Sequence, residues 1–182
     1  MASNLGFKLN KTLLAAGGGS ASGTQLVALP YNRQVGIDTA ADLFGDIGKT
    51  GSAFNAQTIS RYVTQTDTFE LYGLGFPDFN LVEGEGLQVK MGTTVNYIIV
   101  GSHNPNATIQ LEGAGPASNS GTQIFAPPYH ATASTAAELF NQMGGSPTVQ
   151  TISAYVTGTD TFNLYGLGFP DFPLSPGEAY QV

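Results

Sequence analysis

The chain has 182 residues, 41% hydrophobic and 10% charged, with a formal net charge of −7 and no cysteine or tryptophan. Its length and apolar content fit a globular chain of one domain or two small ones, and exclude a disordered acidic tail. Without cysteine there are no disulfides, thiol catalysis or cysteine-bound metal. The six Lys and Arg form no positive stripe for nucleic acid, and no apolar run approaches the ~18 residues of a membrane-spanning helix.

Residues 1–23 superficially resemble a signal peptide, with Lys8 and Lys11 ahead of the apolar TLLAA. That apolar stretch is too short for an export signal. The segment instead reads as a weakly alternating strand at 6–14 and a flexible Gly/Ser linker at 17–23. A strand at 24–29 stops at Pro30. Asp38-Thr39 caps a short helix over 40–47, ended by Gly48. Strands at 59–64 and 68–72 flank a Gln65-Thr66-Asp67 turn. Segments 87–91 and 94–100 read as a hairpin across Gly92, and 94–100 (TVNYIIV) is the most strand-like run. A strand at 107–111 and a second linker at 114–120 follow. Ser134-Thr135 then caps a helix over 136–143, ended by Gly144-Gly145.

The order repeats because the sequence repeats. Residues 57–79 and 150–172 differ at only three of 23 aligned positions: Arg61/Ala154, Gln65/Gly158 and Glu70/Asn163. The offset is 98 at Gly23-Thr24-Gln25/Gly121-Thr122-Gln123, 96 at the helix and 93 through the long block. Small deletions in connecting segments account for the drift. A repeat of this length predicts tandem small domains and not a short-repeat solenoid. The expected fold is mainly β with one short helix per repeat, as two duplicated small sandwich-like or barrel-like domains. The first covers 1–101 with an N-terminal arm. The second covers 102–182 and lacks a counterpart of the TVNYIIV strand. All six Lys and Arg lie in the first 90 residues, while the second half carries Glu112, Glu138, Asp160, Asp171 and Glu178 without a base. That asymmetry can orient head-to-tail contacts.

The succession LVALPY, TAADLF, ISRYVTQTDTFELYG, FNLVEGEGLQVKM and TVNYIIVG resembles a repeat domain of bacterial secreted and cell-surface proteins. That domain runs from an N-L-[IV]-x-x-P strand to a PGEGYWV close and a final strand. The close corresponds here to 83–89 and 176–182, with Tyr180 in the aromatic slot, Leu87 in its place in the first copy, and the usual tryptophans missing. The resemblance implies a β-rich, non-catalytic module at an extracellular or cell-surface location.

Candidate chemistry is sparse. His103 and His130 are the only histidines and do not share a repeated position. No serine sits in a nucleophile-elbow pattern. Asp67/Asp160 and Asp78/Asp171 recur, but Asp before a turn bonds nearby backbone N–H groups. The D-x-D spacing of a calcium loop is absent, and nothing in the sequence brings two carboxylates to one glycosidic bond. Glu85 and Glu178 recur beside glycine without the Lys and helix of a phosphate loop. No cofactor or metal is expected.

The better candidates are the repeated aromatic loops: Tyr72, Phe76, Asp78 and Phe79, and their twins Tyr165, Phe169, Asp171 and Phe172. They are read either as core closure or as an exposed surface for protein contact or sugar stacking. The expected function is a self-assembling, non-enzymatic structural subunit: a filament, surface layer or capsid-like lattice. The N-terminal arm, with Phe7, Lys8, Leu9 and Lys11, is the expected donor for strand exchange with a neighbour, or a segment folding back on its own second domain. A glycan- or protein-binding module is the alternative.

Overall fold

The computed structural model describes residues 6–29, 32–33, 35–102, 104, 106–116, 118–129 and 131–182. His103 and His130 lie outside the described residues, as does the Phe7 side chain. In chain order the first half holds β1 (Gly6–Leu13), β2 (Thr24–Ala28), β3 (Asn32–Arg33), α1 (Ala40–Ile47), β4 (Lys49–Thr50), β5 (Ala53–Phe54), β6 (Ala56–Val63), β7 (Thr68–Tyr72), β8 (Gly86–Met91) and β9 (Val95–Ser102). The second holds β10 (Ile124–Phe125), α2 (Ala136–Gln142), β11 (Ile152–Val156), β12 (Thr161–Tyr165) and β13 (Tyr180–Gln181).

The chain is mainly β, in several antiparallel sheets, and among the described residues no sheet closes into a barrel. One four-stranded sheet has the order β2-β8-β6-β7, and another the order β10-β13-β11-β12. Position by position the two orders correspond to the sequence repeat. A three-stranded sheet, β1-β9-β3, and the β4-β5 ribbon complete the set.

Both helices start for the same reason. Thr39 Oγ1 accepts from Asp42 N at 3.2 Å, and Asp42 Oδ2 accepts from Thr39 N at 2.9 Å, a full capping box. Thr135 Oγ1 accepts from Glu138 N at 3.3 Å, while Glu138 Oε2 reaches back to Ser134 N at 2.7 Å. Ala40, Leu43 and Ile47 of α1 are buried, as are Ala136 and Leu139 of α2, so each helix closes one end of a core.

The first core lies under α1 and joins Leu43, Ile47, Ile59, Leu87 and Met91 to Leu13 of β1 and Tyr97 and Ile99 of β9. The second contains Phe125, Leu139, Val149, Ile152 and Tyr180, with Ile109 and Leu111 half-buried against it.

Several expectations need correction. Segments 87–91 and 94–100 are both strands but form no hairpin. β8 pairs with β2 and β6, whereas β9 pairs with β1 and β3. The chain leaves the first sheet because Gly92 N and Thr93 N both donate to Asn55 O, at 2.7 and 3.1 Å, which turns it onto a second layer. Residues 107–111 are not a strand, because no neighbouring strand lies beside them among the described residues. The arm pairs antiparallel with β9 of its own chain over all eight residues, from Gly6–Ser102 to Leu13–Val95. The expected boundary between residues 101 and 102 falls inside β9.

Candidate functional site: twin loop tips and a reciprocal interface

Each long repeat ends in a loop of the same conformation. Gly73 and Gly166 have φ of 104° and 105°, Leu74 and Leu167 of 55° and 52°, and Gly75 and Gly168 of 90° and 91°. Gly73 and Phe76 form one isolated bridge, Gly166 and Phe169 the other. A β-carbon on Gly73 would sit 2.5 Å from Gln57 O, so only glycine fits that corner. Leucine is unfavourable at positive φ, yet the loop holds it there twice. The result is a presented tip: Leu74 is 81% exposed, Leu167 79%, Phe76 56% and Phe169 52%.

The other aromatic candidates face inward. Tyr72 and Tyr165 meet Phe44 and Phe140 edge-on, with ring centroids 5.4 Å apart in each pair. Phe79 packs on the first core, and Phe172 stacks 6.5 Å from Tyr180. Asp78 and Asp171 are anchors: Asp78 Oδ1 accepts from Ala41 N and Phe79 N, both at 2.9 Å, and Asp171 Oδ1 accepts from Ala137 N at 2.8 Å and Phe172 N at 2.9 Å. Each carboxylate ties the loop to the first turn of a helix, where a negative charge is favourable.

Asp67 and Asp160 occupy left-handed turns, with φ of 53° and 54°, and reach across the molecule. Asp67 Oδ1 accepts from Tyr62 Oη at 3.0 Å and from Ser120 Oγ at 2.8 Å. Asp160 Oδ1 accepts from Tyr155 Oη at 2.8 Å and Ser22 Oγ at 3.0 Å. Ser22 and Ser120 are counterparts at the 98-residue offset, so each half supplies the serine for the other half's aspartate. Backbone contacts obey the same exchange. Ala21 N donates to Thr157 O at 2.8 Å and Asn119 N to Thr64 O at 3.0 Å. Ala28 N donates to Gly177 O at 3.0 Å and Ala126 N to Gly84 O at 2.9 Å. Between these contacts lies a third apolar cluster, made of the paired positions Leu26/Ile124 and Ala28/Ala126 with Ala179, flanked by Tyr62 and Tyr155.

The segments read as flexible linkers are therefore docked loops. Ser20 and Ser118 are buried within them and accept from Gly23 N and Gly121 N, at 2.8 and 2.9 Å. Gln25 Nε2 donates to Leu14 O, and Gln123 Nε2 to Glu112 O, fixing where each loop begins. The recurrence of Ser20/Ser22 as Ser118/Ser120 at the 98-residue offset was the sequence signal for this interface.

Among the described residues of the arm, Leu9 and Lys11 reach the second half. Lys11 Nζ lies 3.5 Å from Glu178 Oε1, and a β-carbon at Gly177 would overlap Leu9 Cδ2. Lys8 is exposed on the same strand. In the first half Arg61 serves the equivalent glutamate. It pairs with Glu70 at 2.6 Å, approaches Glu85 at 3.9 Å, donates to Asn80 O and lies 5.1 Å from the centre of the Phe79 ring. Burial raises the Glu85 carboxyl above its ordinary range despite the Arg61 charge.

Among the described residues no group of three or more His, Asp or Glu is placed to hold a metal, and no helix is long and apolar enough to cross a membrane. Comparison with protein-family models finds no match, and comparison with curated proteins and solved structures finds no significant similarity.

Proposed function

We propose that the protein is a non-enzymatic structural subunit, two tandem copies of one small β-sandwich-like module, that assembles with copies of itself into a filament, surface layer or capsid-like lattice. The observation that carries this reading is the pair of exposed Leu-Gly-Phe tips, Leu74–Phe76 and Leu167–Phe169, held outward by left-handed backbone. Large apolar groups on a strained loop are a contact surface more readily than a folding aid. Two tips on one molecule allow contacts to propagate where a single patch would close a dimer. The resemblance to secreted surface repeats agrees with this role and with an extracellular or cell-surface location. β1 is the exchangeable element: it lies at a sheet edge, and β9 of a neighbouring copy offers the same register.

The test is sedimentation and electron microscopy of the purified chain beside a variant with Leu74, Phe76, Leu167 and Phe169 all changed to serine. Ordered particles that the variant no longer forms, with its melting temperature unchanged, are the expected result. Deleting residues 1–14 is expected to abolish the particles as well. A wild-type chain that stays monomeric at high concentration overturns the reading.

A second reading, a glycan- or protein-binding module, draws on the same half-exposed rings of Phe76 and Phe169. Glycan-array binding that is lost in Phe76→Ala/Phe169→Ala would favour it.

A further inference from the structure

The two cores are not closed in the same way. Over the first, β9 lies between β1 and β3 and sends Tyr97 and Ile99 into the core beside Leu13, Leu43 and Ile47. Over the second, the counterparts of those three residues are Leu111, Leu139 and Met143, and they line a cleft of about 1020 Å³ with Ile109, Gln142 and Val149. Larger side chains fill part of the space: Phe125 stands for Val27, Val149 for Ala56 and Tyr180 for Leu87. The cleft is what remains.

The lip of the cleft alternates like a strand but pairs with none among the described residues. Residues 107–111 alternate between half-buried and exposed, with Ile109 and Leu111 turned to the core. They are the sequence counterpart of 9–13 in β1. Among the described residues no backbone–backbone hydrogen bond holds 108–111 to another segment. An edge with free N–H and C=O groups beside an apolar groove is the arrangement that accepts an added strand.

We infer that this cleft takes up an extended peptide strand with the alternation Val-x-Tyr-x-Ile, running antiparallel to 107–111. The first half supplies the template. There Val95 faces Leu13, Tyr97 faces Lys11 and Ile99 faces Leu9. At the 98-residue offset the incoming valine stands opposite Leu111, the tyrosine opposite Ile109 and the isoleucine opposite Ala107. Tyr97 Oη donates to Asp46 Oδ2 of α1 at 2.6 Å. The counterpart of Asp46 is Gln142, whose Nε2 is engaged with Thr132 Oγ1 at 3.1 Å, which leaves its carbonyl oxygen to accept from the incoming tyrosine. The arm is the wrong occupant, because its own counterpart, 107–111, already stands at that position and Lys11 would fall in the core. This inference does not depend on the loop tips, and either can fail without the other.

The probe is a labelled synthetic peptide with the sequence of residues 93–102, titrated into the full chain. Saturable binding by fluorescence anisotropy, with new amide-exchange protection confined to 107–111, is the expected result. A peptide of the same composition with Asn96 and Tyr97 exchanged is expected to bind at least tenfold more weakly. So is the native peptide to Ile109→Lys. Should that variant fail to fold, Gln142→Ala is the second arm: it weakens the tyrosine peptide several-fold and leaves a phenylalanine analogue unchanged. Binding equal for both peptides overturns the inference. Protection that appears on β1 in place of 107–111 does so too, since the peptide would then be displacing β9. So does a chain that already sediments as an oligomer with 107–111 protected, since a second copy would then be the occupant.

Discussion

Two of the three differences between the long repeats are a single event at the level of side chains. Arg61 faces Glu70 across β6 and β7, and Ala154 faces Asn163 at the same place in β11 and β12. The ion pair is present or absent as a unit. Its loss in the second copy is tolerated because Glu178, the counterpart of Glu85, has Lys11 from the arm instead. In the first copy Arg61 is the cation nearest a largely buried carboxylate whose Oε2 has no hydrogen bond among the described residues. Arg61→Ala is therefore expected to destabilise the chain by about 1–3 kcal/mol, chiefly by stranding Glu85. In Arg61→Ala/Glu85→Gln most of that loss should return, read as non-additivity in a urea-denaturation cycle. The pH dependence carries two opposite signs. Glu85 has a raised folded pKa, so its share of stability is full below the ordinary glutamate range near 4.5 and falls as pH rises through its folded value. Asp42 is lowered by bonds from Asp38 N and then from the Thr39 side chain and N–H, and Glu138 by bonds from the Ser134 N–H and hydroxyl. Their shares are full above the ordinary carboxylate range and are lost as pH falls through their folded values. Melting temperature against pH is expected to have a shallower acid limb in Asp42→Asn/Glu138→Gln, with Asp171, also lowered, keeping part of it, and to flatten on the side above 4.5 in Glu85→Gln.

At the level of elements, what is local was legible in the sequence and what is long-range was not. Thr39 and Thr135, each three residues ahead of an acid, announce both helices, and the Asp67 and Asp160 turns announce two hairpins. The partner of β9 was not readable, because TVNYIIV specifies a strand and not its neighbour; Asn55 O decides by pulling Gly92 and Thr93 away from β8. The loops were misread as linkers because Gly and Ser dominate them, whereas their geometry depends on a surface nearly 140 residues away, as in Ser22–Asp160. For the candidate site, spacing could not separate Phe76, which points out, from Phe79, which points in. The discriminating feature is the pair of left-handed residues at Leu74 and Gly75. The glycine at the root of the loop tests how far the tip depends on that backbone. Gly73→Ala forces a β-carbon against Gln57 O and is expected to cost about 1–3 kcal/mol in denaturant unfolding. Gly166→Ala should match it, since its β-carbon would overlap Gln150 O in the same way. Gly75→Ala, with open space around it, should cost less than either.

At the scale of the whole molecule the serine–aspartate and backbone contacts between the halves are isologous, each group on one half meeting the other half's version of its own partner, as in a two-fold dimer written into one chain, while the arm adds contacts outside that symmetry. Such an interface makes a quantitative demand. Paired substitutions at corresponding positions should have like effects, because each removes the same bond from the same surroundings. Ser22→Ala removes the donor to Asp160 and Ser120→Ala the donor to Asp67, and each is expected to cost about 0.5–1.5 kcal/mol. The two bonds share no atoms and belong to opposite ends of the exchange, so the double variant should show their sum. A further consequence separates an interface from incidental contact. If the halves unfold together because of these bonds and the cluster around Leu26 and Ile124, weakening the interface should split one transition into two. Calorimetry of the double serine variant carrying Leu26→Ala and Ile124→Ala is expected to show a lower, broader or divided endotherm, while each single variant keeps one peak. One sharp transition in the quadruple variant, at the wild-type temperature, would mean that the reciprocal contacts hold nothing together.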